Sequence, residues 1–309
     1  WRRGVRTIGW VARRIAIGTL TLFWAVACGS PSARTVEAVA AESRISSTSL
    51  RFVRGGTLIS ELPLTRLRDE CPPERVEVED PYHARRMRYF ALSFPCVLDQ
   101  GFADSGGVDS LRGQALLLRA LDGYTRPAAG TDLLGPDVWL AFGEEALMES
   151  AAAEPDFSPI DRRQIDPSPF YLVWTGVGQN DPHSHPWPYQ LATIEVASFE
   201  DSFPKTVPTG LRLGHAGWRG YELFPSSCAS CHAINGEGGR IGPDLNVPMS
   251  IIEYRPVEQI RSYIRNPQAT RYTSMPPHPD LTSADLDALI AYFEAMRARK
   301  HDPREGVAD

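Results

Sequence analysis

Cys228-Ala229-Ser230-Cys231-His232 is the stretch on which the reading of this chain turns. It has the form C-x-x-C-H, the pattern of covalent haem attachment. Two thiols three positions apart reach the two vinyl groups of one porphyrin as thioethers, and the adjacent histidine is then held against one face of the iron. A C-x-x-C pair alone also suits half of a zinc site or a redox dithiol. A structural zinc site of this type wants a second ligand pair, and the sequence holds no other C-x-x-C. A thioredoxin-like dithiol wants a βαβ context, which the following residues lack. The pattern therefore predicts one covalent haem c, attached at Cys228 and Cys231 with His232 as an axial iron ligand. A single such motif argues against a di-haem peroxidase.

Upstream, Gly220-Tyr221-Glu222-Leu223-Phe224 sets a small residue and an apolar pair shortly before the cysteines. Downstream, Asn235 to Leu245 is a glycine-rich turn that ends in Gly242-Pro243-Asp244-Leu245. Near the C-terminal end, Thr282-x-x-Asp285 has the form of a capping box, with Asp in place of the usual Glu or Gln. Leu286, Leu289, Ile290, Phe293 and Met296 follow at helical spacing, and Arg297, Arg299 and Lys300 suit the end of that helix. Val257, Ile260, Tyr263 and Ile264 predict a middle helix over roughly 256–265.

This region, 211–302, resembles a class I cytochrome c domain, which implies a small all-α fold wrapped around its haem. The resemblance implies that the Pro243 carbonyl accepts a hydrogen bond from His232, and that Leu245 packs on the porphyrin. It also implies a methionine as second axial ligand, in a loop before a proline. Met275, in Tyr272-Thr273-Ser274-Met275-Pro276-Pro277, is the strongest candidate. Its competitors are Met249, which follows the Gly-Pro turn too closely, Met296, which falls on the apolar helix face, and His278. His/Met ligation raises the reduction potential. Gly220 against Tyr292 or Phe293 would mark the crossing of the first and last helices.

The N-terminus reads as an address. Five arginines fall within the first fourteen positions, and the mostly apolar run Ile15 to Ala27 follows. A charged start, a short apolar run and small residues before Cys28 make a secretory signal over 1–28. The run is short for a membrane span. Ala25-Val26-Ala27-Cys28-Gly29 resembles a bacterial lipoprotein signal, although Ala25 stands where leucine is usual. That resemblance implies lipidation at Cys28; plain cleavage or an uncleaved anchor is the alternative. Residues 29–48, rich in Ser, Ala and Glu, read as a flexible tether. The expected location is the periplasmic side of a bacterial membrane, held there by a lipid or N-terminal anchor.

Cys71 and Cys96 remain. In an exported chain they form either a disulfide or two buried thiols. The formal net charge is −6, although the first thirty residues hold five arginines and no acid, so the rest is more acidic still. That balance argues against nucleic acid and suits a basic protein partner. With 42% apolar residues a packed core is possible.

Residues 49–208 predict an α+β or mostly β domain, so the fold class is multidomain. Strand-like runs stand at Leu50–Val53, Ala115–Leu118, Val138–Phe142, Phe170–Trp174 and Leu191–Val196, with turn residues between them. Three segments resemble the sulfite-oxidase, molybdopterin-binding fold: Ala120 to Tyr124, Pro169 to Trp174, and Trp187 to Leu191 running into Ile194-Glu195-Val196. In catalytic members of that family a cysteine thiolate holds the molybdenum ahead of the segment that here reads Arg88 to Leu92. This chain has Val76 to Asp80 there, without a thiol, so no molybdenum cofactor is expected. His183-Ser184-His185 sits between prolines and offers two ligands, short of a metal site.

Two functions compete. One is a membrane-tethered monohaem electron carrier that serves redox protein partners, as a subunit of a larger respiratory or oxidoreductase complex. The other is a sulfite-oxidase-like molybdenum dehydrogenase with a fused cytochrome acceptor. The missing thiolate favours the first. Haem-based sensing is a third, more remote, reading.

Overall fold

The computed structural model describes residues 48–160, 163–182 and 184–302. Cys28, the signal and nearly all of the tether lie outside the described residues, as does His183. A β-rich region precedes a helical one. No helix among the described residues is long and apolar enough to cross a membrane.

The β region holds two sheets. The first is mixed, in the order β2-β1-β9-β5-β6, from β1 (Ser49–Arg54), β2 (Thr57–Pro63), β5 (Ala115–Ala120), β6 (Thr125–Ala129) and β9 (Leu191–Val196). Only the β1–β9 pairing is parallel; the others are antiparallel. The second sheet is antiparallel, in the order β3-β4-β7-β8, from β3 (Glu74–Asp80), β4 (Arg85–Ser93), β7 (Val138–Glu144) and β8 (Tyr171–Trp174). All five strand-like runs are strands. The β3–β4 hairpin is an addition with a plain cause: Glu77 and Glu79 pair with Arg86 and Arg88 on the exposed face, while Val76 and Val78 are buried.

Both sheets feed one buried cluster, with Leu50, Phe52, Leu116 and Leu118 from the first and Val78, Tyr89, Leu140 and Leu172 from the second. Helices α1 (Leu64–Glu70) and α2 (Phe94–Gly101) add Leu64, Leu67, Val97 and Leu98. Cys71 at the end of α1 and Cys96 within α2 are joined as a disulfide across 25 positions.

The two-residue period of β5 decides what lies on its other face. Leu116 and Leu118 point into the β core, whereas Leu117 belongs to the cluster of the C-terminal region. The short helices α3 (Gly130–Leu133) and α4 (Phe199–Ser202) follow β6 and β9. Phe199 and Phe203 also join the C-terminal cluster, and the Tyr292 hydroxyl donates to the Thr206 carbonyl at 2.7 Å. The segment 199–206, placed before the domain boundary at 208 by sequence, thus packs with the residues that follow it.

The C-terminal region contains α5 (Ala216–Ser227), the small hairpin β10 (Ala233–Ile234) and β11 (Glu237–Gly238), α6 (Ile251–Tyr254), α7 (Val257–Arg265) and α8 (Ser283–Arg297). Thr282 caps α8: its hydroxyl accepts from the Asp285 amide at 3.2 Å, and the Asp285 carboxylate accepts from the Thr282 amide at 3.1 Å. Helices α5 and α8 cross where side chains are small. A Cβ on Gly220 would stand 2.1 Å from the Ala288 carbonyl oxygen and 2.7 Å from the Tyr292 Cβ. The crossing partners are therefore Ala288 and Tyr292, rather than Phe293.

Candidate functional site

Cys228 closes α5, its amide donating to the Phe224 carbonyl at 2.9 Å. The His232 amide then donates back to the Cys228 carbonyl at 2.9 Å, so the five motif residues form one tight turn. That turn brings Cys228, Cys231 and His232 to the wall of one cavity of about 940 Å³. Met275 lines the same cavity, as do Pro243, Leu245, Ile260, Ile264 and Phe293.

The His232 Nδ1 lies 2.8 Å from the Pro243 carbonyl oxygen. A carbonyl oxygen only accepts, so Nδ1 carries the proton and Nε2 keeps a lone pair for a ligand or metal. Burial lowers the pKa of His232 and the bond to Pro243 opposes that shift. Gly242 has a steric reason: a Cβ there would lie 2.4 Å from the His232 Cε1. Only glycine lets the chain pass so close to the ring.

The two thiols are partly buried and not bonded to each other. Burial pushes Cys228 up to about 12, with Cys231 adding to the shift, and Cys231 up to about 11. A reactive dithiol has the opposite tendency. No group of three or more His, Cys, Asp or Glu side chains placed to hold a metal occurs among the described residues. His185 instead stacks edge-on to Trp174 at 4.9 Å. The site thus fits a planar iron porphyrin: a largely apolar cavity lined by two cysteines three positions apart, an oriented imidazole and a thioether residue.

The other methionines stand elsewhere. Met296 is buried in the helix core and Met249 is exposed. His278 is buried, lines the cavity, and has its amide bonded to the Ile264 carbonyl at 3.1 Å. The Met275 amide donates to the Thr273 hydroxyl at 3.1 Å, which shapes the loop that carries it.

Two features lay beyond the sequence reading. The first is a buried asparagine pair behind the motif. The Asn246 side-chain amide donates to Asn235 Oδ1 and to the Met296 carbonyl, each at 2.8 Å, and Asn235 Nδ2 donates to the Lys205 and Arg299 carbonyls at 2.9 Å. This network ties the loop after His232 to the end of α8. The second is that the β region supplies part of the cavity wall, through Tyr82, Tyr124, Arg126, Trp187 and Tyr189. Burial raises Tyr124 to about 12, so it stands there as a neutral phenol.

Residues 218–297 match the family model of cytochrome c. The C-terminal region is a cytochrome c domain. Such a domain implies haem c and single-electron transfer. The chain is also 32% identical over 87 residues to cytochrome c oxidase subunit 2 of Alkalihalophilus pseudofirmus, which covers 26% of this chain and 25% of that protein. The chain thus spans about a quarter of the length of that curated relative.

Proposed function

We propose that this chain is an exported, membrane-tethered monohaem cytochrome c that passes electrons between redox proteins as a subunit of a larger complex. The observation that carries the proposal is the meeting of Cys228, Cys231, His232 and Met275 on one cavity. In this reading Cys228 and Cys231 would hold the porphyrin covalently, His232 Nε2 and the Met275 sulfur would ligate its iron, and Leu245 would pack on the ring. The group supplies a one-electron couple. The Pro243 carbonyl fixes the imidazole orientation and makes it a stronger donor. The Met275 thioether favours ferrous iron and raises the potential. Were His232 and Met275 both to ligate the iron, the group would supply single-electron transfer alone.

Lipidation at Cys28, a tether over 29–48 and a periplasmic location belong to the same proposal. Support for a role in a complex comes from the relative, itself named as a subunit of an oxidase. The β region serves here as scaffold and docking module, keeping its resemblance to the sulfite-oxidase fold without the molybdenum chemistry. Its two cysteines among the described residues are tied to each other as a disulfide, so neither presents a thiolate. An optical redox titration of wild type and Met275→Ala tests the reading. Wild type should be low-spin, and the variant should lose the thioether-ligated spectrum and titrate at lower potential. A variant with an unchanged spectrum would remove Met275 from the site. Turnover with sulfite should be absent; steady turnover with stoichiometric molybdenum would restore the dehydrogenase reading.

A further inference from the structure

The turn between β5 and β6 is docked on the haem-attachment motif. The Thr125 amide donates to the Ser230 carbonyl at 3.2 Å, between the two motif cysteines. The Arg240 amide donates to the Gly123 carbonyl at 3.1 Å, and the Arg126 guanidinium donates to the Ser226 carbonyl. The fit is close: a Cβ on Gly123 would stand 2.8 Å from the Arg240 Cβ. Beside this turn, Tyr82 and Tyr189 meet edge to face at 5.7 Å, and Trp187 packs on Tyr171 at 5.9 Å. Tyr82, Tyr124, Trp187 and Tyr189 line the same cavity as Cys228 and Cys231.

We propose that the β region is a wall of the haem site, in which the β5–β6 turn and this aromatic group cover the thioether edge of the porphyrin. The inference rests on haem being attached at Cys228 and Cys231. Those bonds pin one edge of the ring at the sulfurs, where the β region stands. The cover has two physical effects. It keeps water from that edge, which disfavours the more highly charged ferric state and raises the potential. It also stops small reductants from reaching the ring there. Arg126 adds a fixed positive charge beside the same edge, which acts on the potential in the same direction.

The test uses the full chain with haem attached. The double variant Tyr82→Ala with Tyr189→Ala should titrate at lower potential, yet be reduced several-fold faster by ascorbate. A lower potential alone would slow that reduction, so the faster rate reports access. The phenylalanine pair at the same positions should keep wild-type values. A haem-loaded alanine pair that keeps either the wild-type potential or the wild-type rate overturns the proposal. Should the alanine pair not fold, Arg126→Gln decides alone: its potential should fall, and an unchanged potential overturns the proposal. Wild-type protein without covalent haem overturns this inference and the proposed function together; loaded protein with unaltered variants overturns this inference only.

Discussion

The two regions of the described chain solve the problem of burying a core in opposite ways. The β region packs two sheets and two helices into one cluster of fully buried side chains, with ring pairs such as Phe52 and Phe102 at 5.4 Å and a disulfide across its helices. The C-terminal region has fewer elements, with the 12-residue α5 and the 15-residue α8 its longest, and arranges Leu245, Ile260, Ile264, Phe293 and Met275 around a cavity of about 940 Å³. Its α5–α8 crossing is close-packed, but the loops that carry Pro243 and Met275 both line that cavity. One region is thus stabilised by its own side chains, and the other is shaped to be completed by a cofactor.

The largest expected effect removes that completion. Cys228→Ser with Cys231→Ser should abolish attached haem and leave 211–302 open to limited proteolysis, while the β region stays resistant. Equal resistance of both regions would break the comparison. Next come matched core truncations. Phe102→Ala and Phe224→Ala each remove a fully buried ring and should each cost about 3–5 kcal/mol in denaturant unfolding. Only Phe224→Ala, in the helix that leads into the motif, should also disturb the haem spectrum. Replacing Cys71 and Cys96 by serine should lower stability by about 2–4 kcal/mol and leave the spectrum unchanged. A shifted spectrum would mean that the two regions are coupled more tightly than their separate cores imply. The smallest effect is at the capping box: Thr282→Ala should cost about 1 kcal/mol, read as a small fall in thermal midpoint.

The haem domain was legible because its chemistry is local. C-x-x-C-H, Gly242-Pro243 and the periodic α8 each occupy a few neighbouring residues, and the structure brings their side chains to one cavity. The β strands with continuous apolar runs were legible for the same reason. Strands β2 and β6 were not. Most of β2 is partly or fully exposed, and β6 carries Pro127 on a sheet edge, where neither apolar run nor alternation marks it. The asparagine network and the β wall were out of reach because their partners lie far apart in sequence. Thr125 and Ser230, or Asn235 and Arg299, meet only after the chain has folded. Of the three segments from which the sequence led to an expectation of the sulfite-oxidase fold, the first is the turn docked on the motif and the third begins with Trp187 in the cavity wall. Aromatic residues singled out in the sequence for a fold resemblance thus line the same cavity as Cys228 and Cys231.

The central claim is that one porphyrin is bonded to this chain through Cys228 and Cys231. Intact-mass measurement under denaturing conditions tests it most directly, on protein made in a host that attaches haem c. The account predicts the polypeptide mass plus one haem, retained after denaturation and lost in the double serine variant. A bare polypeptide mass, or a haem that separates on denaturation, would contradict it.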